Sequence, residues 1–179
     1  MAHDIDTSNG RDNIAFLGSR RDVWHRLGQE MQPGQSMEVW AQQAGLAWTA
    51  HKVPAYASLP HSIREPDERG NPALMLAEGR HFIVRSDTAR ILSPGTVSDV
   101  YQPVQPIEVL EWFERYIAVD DRFKLDVAGS LGGGSTVWAT ATFNGDLTVA
   151  GDKHVARLLM STTFDGSGAT INQLSLIHI

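Results

Sequence analysis

The chain has no cysteine among its 179 residues. This excludes disulfide scaffolds, thiolate zinc sites, iron–sulfur clusters and cysteine nucleophiles. Long apolar runs are also missing, since none approaches the roughly 20 residues that a membrane span needs. A chain of this length buries roughly two-thirds of the surface that its unfolded form exposes, so it forms a core without cross-links. We therefore expect one globular domain without a membrane partner.

Positive charge is scarce as well. Lys and Arg number 15 against 21 Asp and Glu, which gives a formal net charge of -6. This balance provides no general attraction to phosphate backbones, although it does not exclude a local basic strip. Residues 1–6 carry neither the basic nor the apolar region of a signal peptide, so we expect the protein in the cytoplasm.

The last six residues, 174–179, are predicted to be a sequencing-adapter scar. Their sequence can be encoded by CTG TCT CTT ATA CAC ATC, which matches a transposon end used to tag sequencing libraries. A scar lies outside fold reasoning, so the predicted single domain covers residues 1–173, as the amino-terminal part of a longer protein. The alternative is a short edge strand, because Leu and Ile suit a half-buried pleated surface.

Two helices are predicted from capping residues and periodicity. Ser36 is a suitable N-cap for a short helix over residues 37–44, which Gly45 ends in the left-handed conformation. A longer helix is predicted over residues 106–117, because Pro106 suits its first turn and apolar residues recur on one face. Those apolar residues are Ile107, Leu110, Phe113 and Ile117.

An antiparallel meander is predicted after the long helix. Residues 136–143 alternate between a threonine-rich face and an apolar face, which is the period of a half-buried strand. Together with residues 123–131 and the triple glycine 132–134 they predict a hairpin, and residues 155–163 predict the next strand. The predicted fold class is α+β, an antiparallel meander with one main helix and one short helix, whose sheet is truncated at the carboxyl end.

The upstream half is less regular. Residues 1–22 are predicted to be an irregular arm, and residues 46–56 a strand broken by proline. Residues 59–73 predict a surface loop, because they are rich in proline, glycine and charge. Residues 81–84 and 89–92 predict a hairpin.

Arginine is unevenly spread, and this pattern gives the only physical indication of a partner. One group lies near the amino terminus and a second decorates the predicted hairpin. If the two groups converge, they form a groove for single-stranded DNA, with Trp24 or Phe82 as a stacking platform. The alternative is a solvated face with ordinary ion pairs, such as Arg85 with Asp87. The candidate nucleic-acid-binding residues are Arg20, Arg21, Arg26, Arg80, Arg85 and Arg90.

Catalytic and metal-binding patterns are weak. No histidine pair has the helical spacing with glutamate that a zinc hydrolase needs, so we predict no metal, no cofactor and no catalytic residue. His25 beside Trp24 is interpreted as a packed structural residue, with a catalytic base as the alternative. The triple glycine lacks the lysine and helix of a phosphate loop, which favours a turn. A polar pocket around Tyr101, Gln105 and residues 161–165 remains a second possible site.

Several segments together resemble a phage- and plasmid-encoded family, domain of unknown function 932. They are residues 1–3, 24–28, 45–48, 97–105, 128–134, 137–138 and 161–169. The motif residues within them are Trp24, His25, Gly28, Tyr101, Gln102, Gln105, Ser161, Thr162, Asp165, Gly166 and Ser167. The chain departs from the family pattern at Pro106, where the family has Asn, and at Phe164, where the family has His. The second departure weakens any chemistry assigned to that histidine.

The resemblance implies a setting rather than an activity. Its association with mobile elements implies a role in replication, recombination or host takeover in the bacterial cytoplasm, and members continue beyond the point where this chain resembles them. The predicted layout also resembles that of single-strand annealing proteins. We therefore favour a single-strand-binding protein over an enzyme. The alternatives are an enzyme or small-ligand binder using the polar pocket, and an oligomeric scaffold.

Overall fold

The computed structural model of the chain describes residues 4–19, 26–149 and 151–178, without the side chains of residues 146, 147, 149, 177 and 178. The described residues form two helices and nine strands in two sheets. The helices are α1 (Met37–Gln43) and α2 (Pro106–Val119). The strands are β1 (Ile14–Leu17), β2 (Gln29–Met31), β3 (Ala50–Ser58), β4 (Leu74–Arg85), β5 (Val97–Ser98), β6 (Phe123–Leu131), β7 (Thr136–Val149), β8 (Asp152–Thr163) and β9 (Ile171–His178).

The larger sheet has the strand order β2-β1-β6-β7-β8-β9 and the smaller sheet has the order β3-β4-β5. Neighbouring strands are antiparallel except β1 and β2, which are parallel. Strands β6 to β9 follow one another in the chain and in space. The predicted α+β class and its antiparallel meander are therefore confirmed.

The hairpin of β6 and β7 is closed by a 3-10 turn over Gly132–Gly134, as the triple glycine predicted. All three glycines have positive φ, between +59° and +99°, a range that L side chains rarely adopt. Along β7, Val137, Ala139 and Ala141 are fully buried, whereas the alternating threonines are half-buried. The period of two in the sequence therefore gives the inner and outer faces of the sheet correctly.

Both predicted helices are present. The Ser36 hydroxyl accepts a hydrogen bond from the Val39 N–H at the start of α1, and Gly45 follows the helix with φ +66°. Pro106 opens α2, and the Glu108 carboxylate accepts a hydrogen bond of 2.6 Å from the Gln105 N–H. Local capping chemistry is thus sufficient to locate these two elements.

The main core lies between the helices and the inner face of the larger sheet. Trp40, Val109, Leu110 and Phe113 of the helices are buried against small side chains of β6 and β7. These small side chains include Ala128, Ala139 and Ala141. Small side chains on the sheet leave room for the large side chains of the helices, as dense core packing requires.

The amino-terminal segment is more regular than predicted. Within the predicted irregular arm, β1 pairs with β2 on one side and β6 on the other, with Ala15 opposite Ala128. Ile14, Ala15 and Phe16 are buried. The prediction of an irregular arm over these residues is wrong, because a four-residue strand is too short to show a period in the sequence.

The smaller sheet corrects another prediction. Residues 59–73 join β3 and β4, as the predicted surface loop does. The predicted hairpin of residues 81–84 and 89–92 is present only as a short one: the Arg85 N–H donates to the Arg90 carbonyl and the Leu92 N–H to the Ile83 carbonyl, both at 2.8 Å. A single antiparallel bridge joins Val84 to Ile91, and the main partner of β4 is β3. Pro54 is accommodated in β3 because this strand lies at the edge of its sheet.

Strand β9 pairs with β8 along its length and forms the outer edge of the larger sheet. It includes most of the segment predicted to be an adapter scar, and so takes the position that the edge-strand alternative describes. Leu174 and Leu176 are about half exposed there. The adapter origin of residues 174–179 and the limits of the domain stay predictions.

Candidate nucleic-acid interface

The outer face of the smaller sheet carries the arrangement that most resembles a single-strand platform. Side chains of a strand alternate between its two faces, so Arg80 and Phe82 lie on one face of β4. Val53 lies directly opposite Phe82 and His51 opposite Val84, which adds their side chains to the same face. Aromatic, aliphatic and cationic groups are thereby placed side by side.

This face is accessible. Arg80 and His51 are exposed, whereas Phe82, Val53 and Val84 are half-buried. The His51 Nε2 lies 2.7 Å from the Thr49 hydroxyl, which orients the ring. A partly accessible aromatic ring beside a guanidinium is the chemistry that stacks a base and neutralises its phosphate.

Arg85 lies on the opposite face of β4 and cannot contact a phosphate. Its side chain is 0% exposed. It donates to the Asp6 carboxylate at 2.5 Å, to the Asp87 carboxylate at 2.6 and 2.9 Å and to the Gly133 carbonyl at 3.2 Å. Its guanidinium also lies over the ring of Trp48. The prediction of Arg85 as a phosphate contact is therefore corrected, and the alternative ion pair with Asp87 is present.

Asp6 is the centre of this buried cluster. Its carboxylate also accepts hydrogen bonds from the Asn13 amide at 2.8 Å, the Ser130 hydroxyl at 3.1 Å and the Ser8 N–H at 2.9 Å. Burial acts to raise the pKa of Asp6, but the hydrogen bonds, that of Arg85 foremost, lower it to about 2. Burial likewise opposes the charge of Arg85, yet the two carboxylates raise its pKa. Both groups are therefore charged at neutral pH.

Arg90, from the second arginine group, lies beside the triple-glycine turn. Arg90 packs its guanidinium against Gly133 in the triple-glycine turn, where a methyl group would collide with it. Arg80, Arg85 and Arg90 thus lie in three different environments and do not line one groove. Arg26 is exposed and has φ +53°. The remaining candidates of the first group, Arg20 and Arg21, lie outside the described residues, as do Trp24 and His25.

Gly28, from the same motif, has a structural role. It is buried with φ +95°, and a side chain there would collide with the backbone of Ile14. Only glycine satisfies both conditions. Gly28 therefore belongs to the packing of β1.

The predicted polar pocket is not assembled. The Gln105 side chain accepts from the Ala50 N–H at 2.8 Å and donates to the Ala50 carbonyl at 3.2 Å, so it joins α2 to β3. Ser161 and Thr162 are neighbours in β8 and point to opposite faces of the sheet. Gln102 is exposed in the segment before α2. These side chains therefore lie in separate places and do not line a common pocket.

Tyr101 and Asp165 are the members of that set that lie near each other. The Tyr101 hydroxyl donates to the Thr163 carbonyl at 3.4 Å. Burial, with a smaller effect of the Asp165 charge, raises the pKa of Tyr101. The Asp165 carboxylate accepts from the Ser167 N–H at 2.9 Å across Gly166, and bonding to Ser167 lowers its pKa. This is the turn that the Asp-Gly-Ser sequence predicted.

Two further surface features were not predicted from the sequence. One is an apolar cleft of about 310 Å³ between α1, the end of α2 and β6, lined in part by Met37, Trp40 and Phe123. Its walls come from distant segments, so no local pattern indicates it. The other is a cluster of exposed apolar side chains near the start of β4. This cluster could have been predicted, because residues 74–76 are three large apolar residues directly after a polar loop.

The described part of the chain holds neither a candidate metal centre nor a candidate membrane-spanning helix. Among these residues, no group of three or more His, Asp or Glu side chains is placed to hold a metal ion. No described helix has both the length and the apolar character needed to cross a membrane.

Comparison with known proteins gives one match. Residues 94–179 match the family model described as Domain of unknown function (DUF932). No curated protein and no solved structure matches the chain. The matched segment contains α2 and the meander β6 to β9, whereas the face that carries Phe82 lies upstream of it. The expected resemblance to this family is therefore confirmed over residues 94–179.

Proposed function

We propose that the chain binds single-stranded nucleic acid on the outer face of the smaller sheet. The observation that carries the proposal is the pair Arg80 and Phe82, which lie two residues apart on an accessible face of β4. A ring on a sheet surface can stack a base of any sequence, and the adjacent guanidinium can neutralise a phosphate. In this proposal the protein acts in replication or recombination of a mobile element, in the cytoplasm of a bacterial host.

Electrostatics make the binding dependent on salt. The net charge of -6 repels a polyanion at long range, so attraction is confined to the local cation and to stacking. Each phosphate contact contributes about 0.7 to the slope of log affinity against log salt for single strands. We therefore expect weak binding that is measurable at low ionic strength.

Fluorescence anisotropy of a labelled 20-nucleotide single strand tests the proposal. Phe82→Leu keeps an apolar side chain at this half-buried site and removes the ring. It should weaken binding about 5- to 150-fold, as expected for the loss of one stacked base. Arg80→Ala should lower the salt slope by about 0.7.

The matched control is Arg115→Ala, which removes an equally exposed arginine from α2. It should leave both affinity and salt slope unchanged within twofold. The proposal is wrong if the unsubstituted chain does not bind at about 20 mM salt. It is also wrong if all three variants bind alike.

A further inference from the structure

The apolar cleft of about 310 Å³ lies where α1, the end of α2, β1 and β6 meet. Two of the residues that line it, Trp40 and Leu125, belong to the main core and are 3% and 5% exposed. The side chains that make most of its walls are Leu17, Met37, Trp40, Ile117, Phe123 and Leu125. The cleft is therefore a concave extension of the core that opens to solvent.

The walls of the cleft are held in place by contacts within the chain. The ring of Phe123 packs against the rings of Tyr116 and Phe143, with centroids 5.8 and 5.1 Å away. Another wall is the turn between β2 and α1, where the Gln35 side-chain oxygen accepts a hydrogen bond of 3.2 Å from the Gln32 N–H. A preformed site loses little conformational freedom when a ligand enters it.

The charges around the opening of the cleft cancel. Of the residues that line the cleft, Asp121 and Lys124 are the charged ones, and both are exposed. The other polar side chains of the lining are the neutral amides of Gln32 and Gln35. An ion that entered the apolar part would lose its hydration without gaining a buried counter-charge, which is costly. The lining therefore favours a neutral ligand.

The volume and the walls indicate what size and shape of molecule fits. An apolar cavity of roughly 150 Å³ binds benzene, and this cleft has about twice that volume. Two of its walls, Trp40 and Phe123, are aromatic, and aromatic rings pack well against one another in offset or edge-to-face arrangements. A molecule of two fused aromatic rings matches both properties.

We propose that the apolar cleft binds a neutral aromatic molecule of about two fused rings. Such a ligand removes apolar wall and apolar ligand surface from water, which provides the driving force. A ligand of roughly ten heavy atoms should bind with a dissociation constant between about 10 μM and 1 mM. The cleft and the outer face of the smaller sheet consist of different elements, so this proposal does not depend on nucleic-acid binding.

Isothermal titration calorimetry of the full chain at neutral pH, without nucleic acid, tests the chemical class. The probe is 2-naphthol, and its charged counterparts are 2-naphthoate and 2-naphthylmethylammonium. Each ion should bind at least about threefold more weakly than the neutral probe, because its charge meets no buried partner. Lower selectivity than this, or no saturable binding of 2-naphthol up to about 1 mM, overturns the proposal.

The substitution Met37→Glu tests the position of the site. Met37 is the first residue of α1, where a carboxylate is favourable for the helix, and the new charge enters the wall of the cleft. This variant should bind 2-naphthol at least about tenfold more weakly. Met75→Glu is the matched control, because Met75 is 53% exposed in the apolar cluster of β4, and its affinity should stay within about twofold. Equal affinities of the two variants overturn the proposal.

Nuclear magnetic resonance locates the probe in the unsubstituted chain, so this measurement does not depend on the folding of a variant. With methyl-labelled leucine and isoleucine, the ring protons of 2-naphthol should give nuclear Overhauser contacts to Leu17, Ile117 and Leu125, which line the cleft. Contacts to Leu74 and Leu76 instead would place the probe on the exposed cluster of β4 and overturn the proposal.

Discussion

Removal of the Arg85 guanidinium is expected to cost far more stability than removal of an exposed arginine. Arg85→Met leaves the Asp6 carboxylate buried without its cation, and breaking such a pair costs about 3–5 kcal/mol. Urea unfolding followed by circular dichroism measures the loss. Arg80→Met, in the same strand but exposed, should change the free energy of unfolding by about 0.5 kcal/mol or less. Similar losses in the two variants would contradict the role assigned to Arg85.

Asp6 also makes stability depend on pH. Its pKa is about 2 in the folded chain against 3.8 as the reference, so the unfolded chain binds the proton more readily. The resulting stabilisation, about 2 kcal/mol, is complete above pH 4 and is lost as pH falls from about 4 to 2. Urea unfolding at pH 5, 4, 3 and 2 should show this fall. Asp6→Asn should show a smaller fall in the free energy of unfolding, because only the other carboxylates then titrate.

Contacts between residues close in sequence were predictable, whereas contacts between distant residues were not. The pairing of Arg85 with Asp87 was predictable because the two residues are neighbours along the chain. The pairing with Asp6 joins residues 79 positions apart. No local pattern in the sequence indicates a contact over such a separation. Arg85 was therefore predicted to be a solvent-exposed residue or a phosphate contact. The burial of Arg85 is a property of the tertiary fold.

At the scale of elements, the triple-glycine turn is expected to be intolerant of a single methyl group. Gly134→Ala places its Cβ 2.9 Å from Arg85 and 3.1 Å from Trp48, on a backbone with φ +99°. Gly166→Ala has φ +77° but open space around it, so it incurs only the backbone strain. Gly134→Ala should lower the melting temperature by several degrees more than Gly166→Ala. Equal shifts would mean that the collision is relieved by movement.

Elements with strong local signals were predictable and short ones were not. The signals for the helix beginning at Pro106 and for the alternation through β7 each lie within one continuous stretch of sequence, and both elements are present. β2 and β5 have three and two residues, and their pairing depends on strands that lie elsewhere in the chain. The neighbours of Phe82 on the sheet face could not be predicted, because they depend on the register of β3 and β4.

At the scale of the whole molecule, stability should be unevenly distributed. Amides of residues 56–58 and 74–76 lie in a two-stranded ribbon, whereas those of residues 128 and 139 lie in the centre of a six-stranded sheet. Hydrogen–deuterium exchange followed by mass spectrometry should show the ribbon exchanging at least tenfold faster at low micromolar concentration. Equal protection in the two places would contradict this uneven distribution.

The position of β1 between β2 and β6 affects how the chain folds during synthesis. Ile14 pairs with Gly129, which leaves the ribosome about 115 residues later. At about 5–20 residues per second, the interval is roughly 6–23 seconds. Over that time the buried apolar face of β1 has no β6 to pair with. The larger sheet therefore assembles late, and the first strand made is among the last to be enclosed.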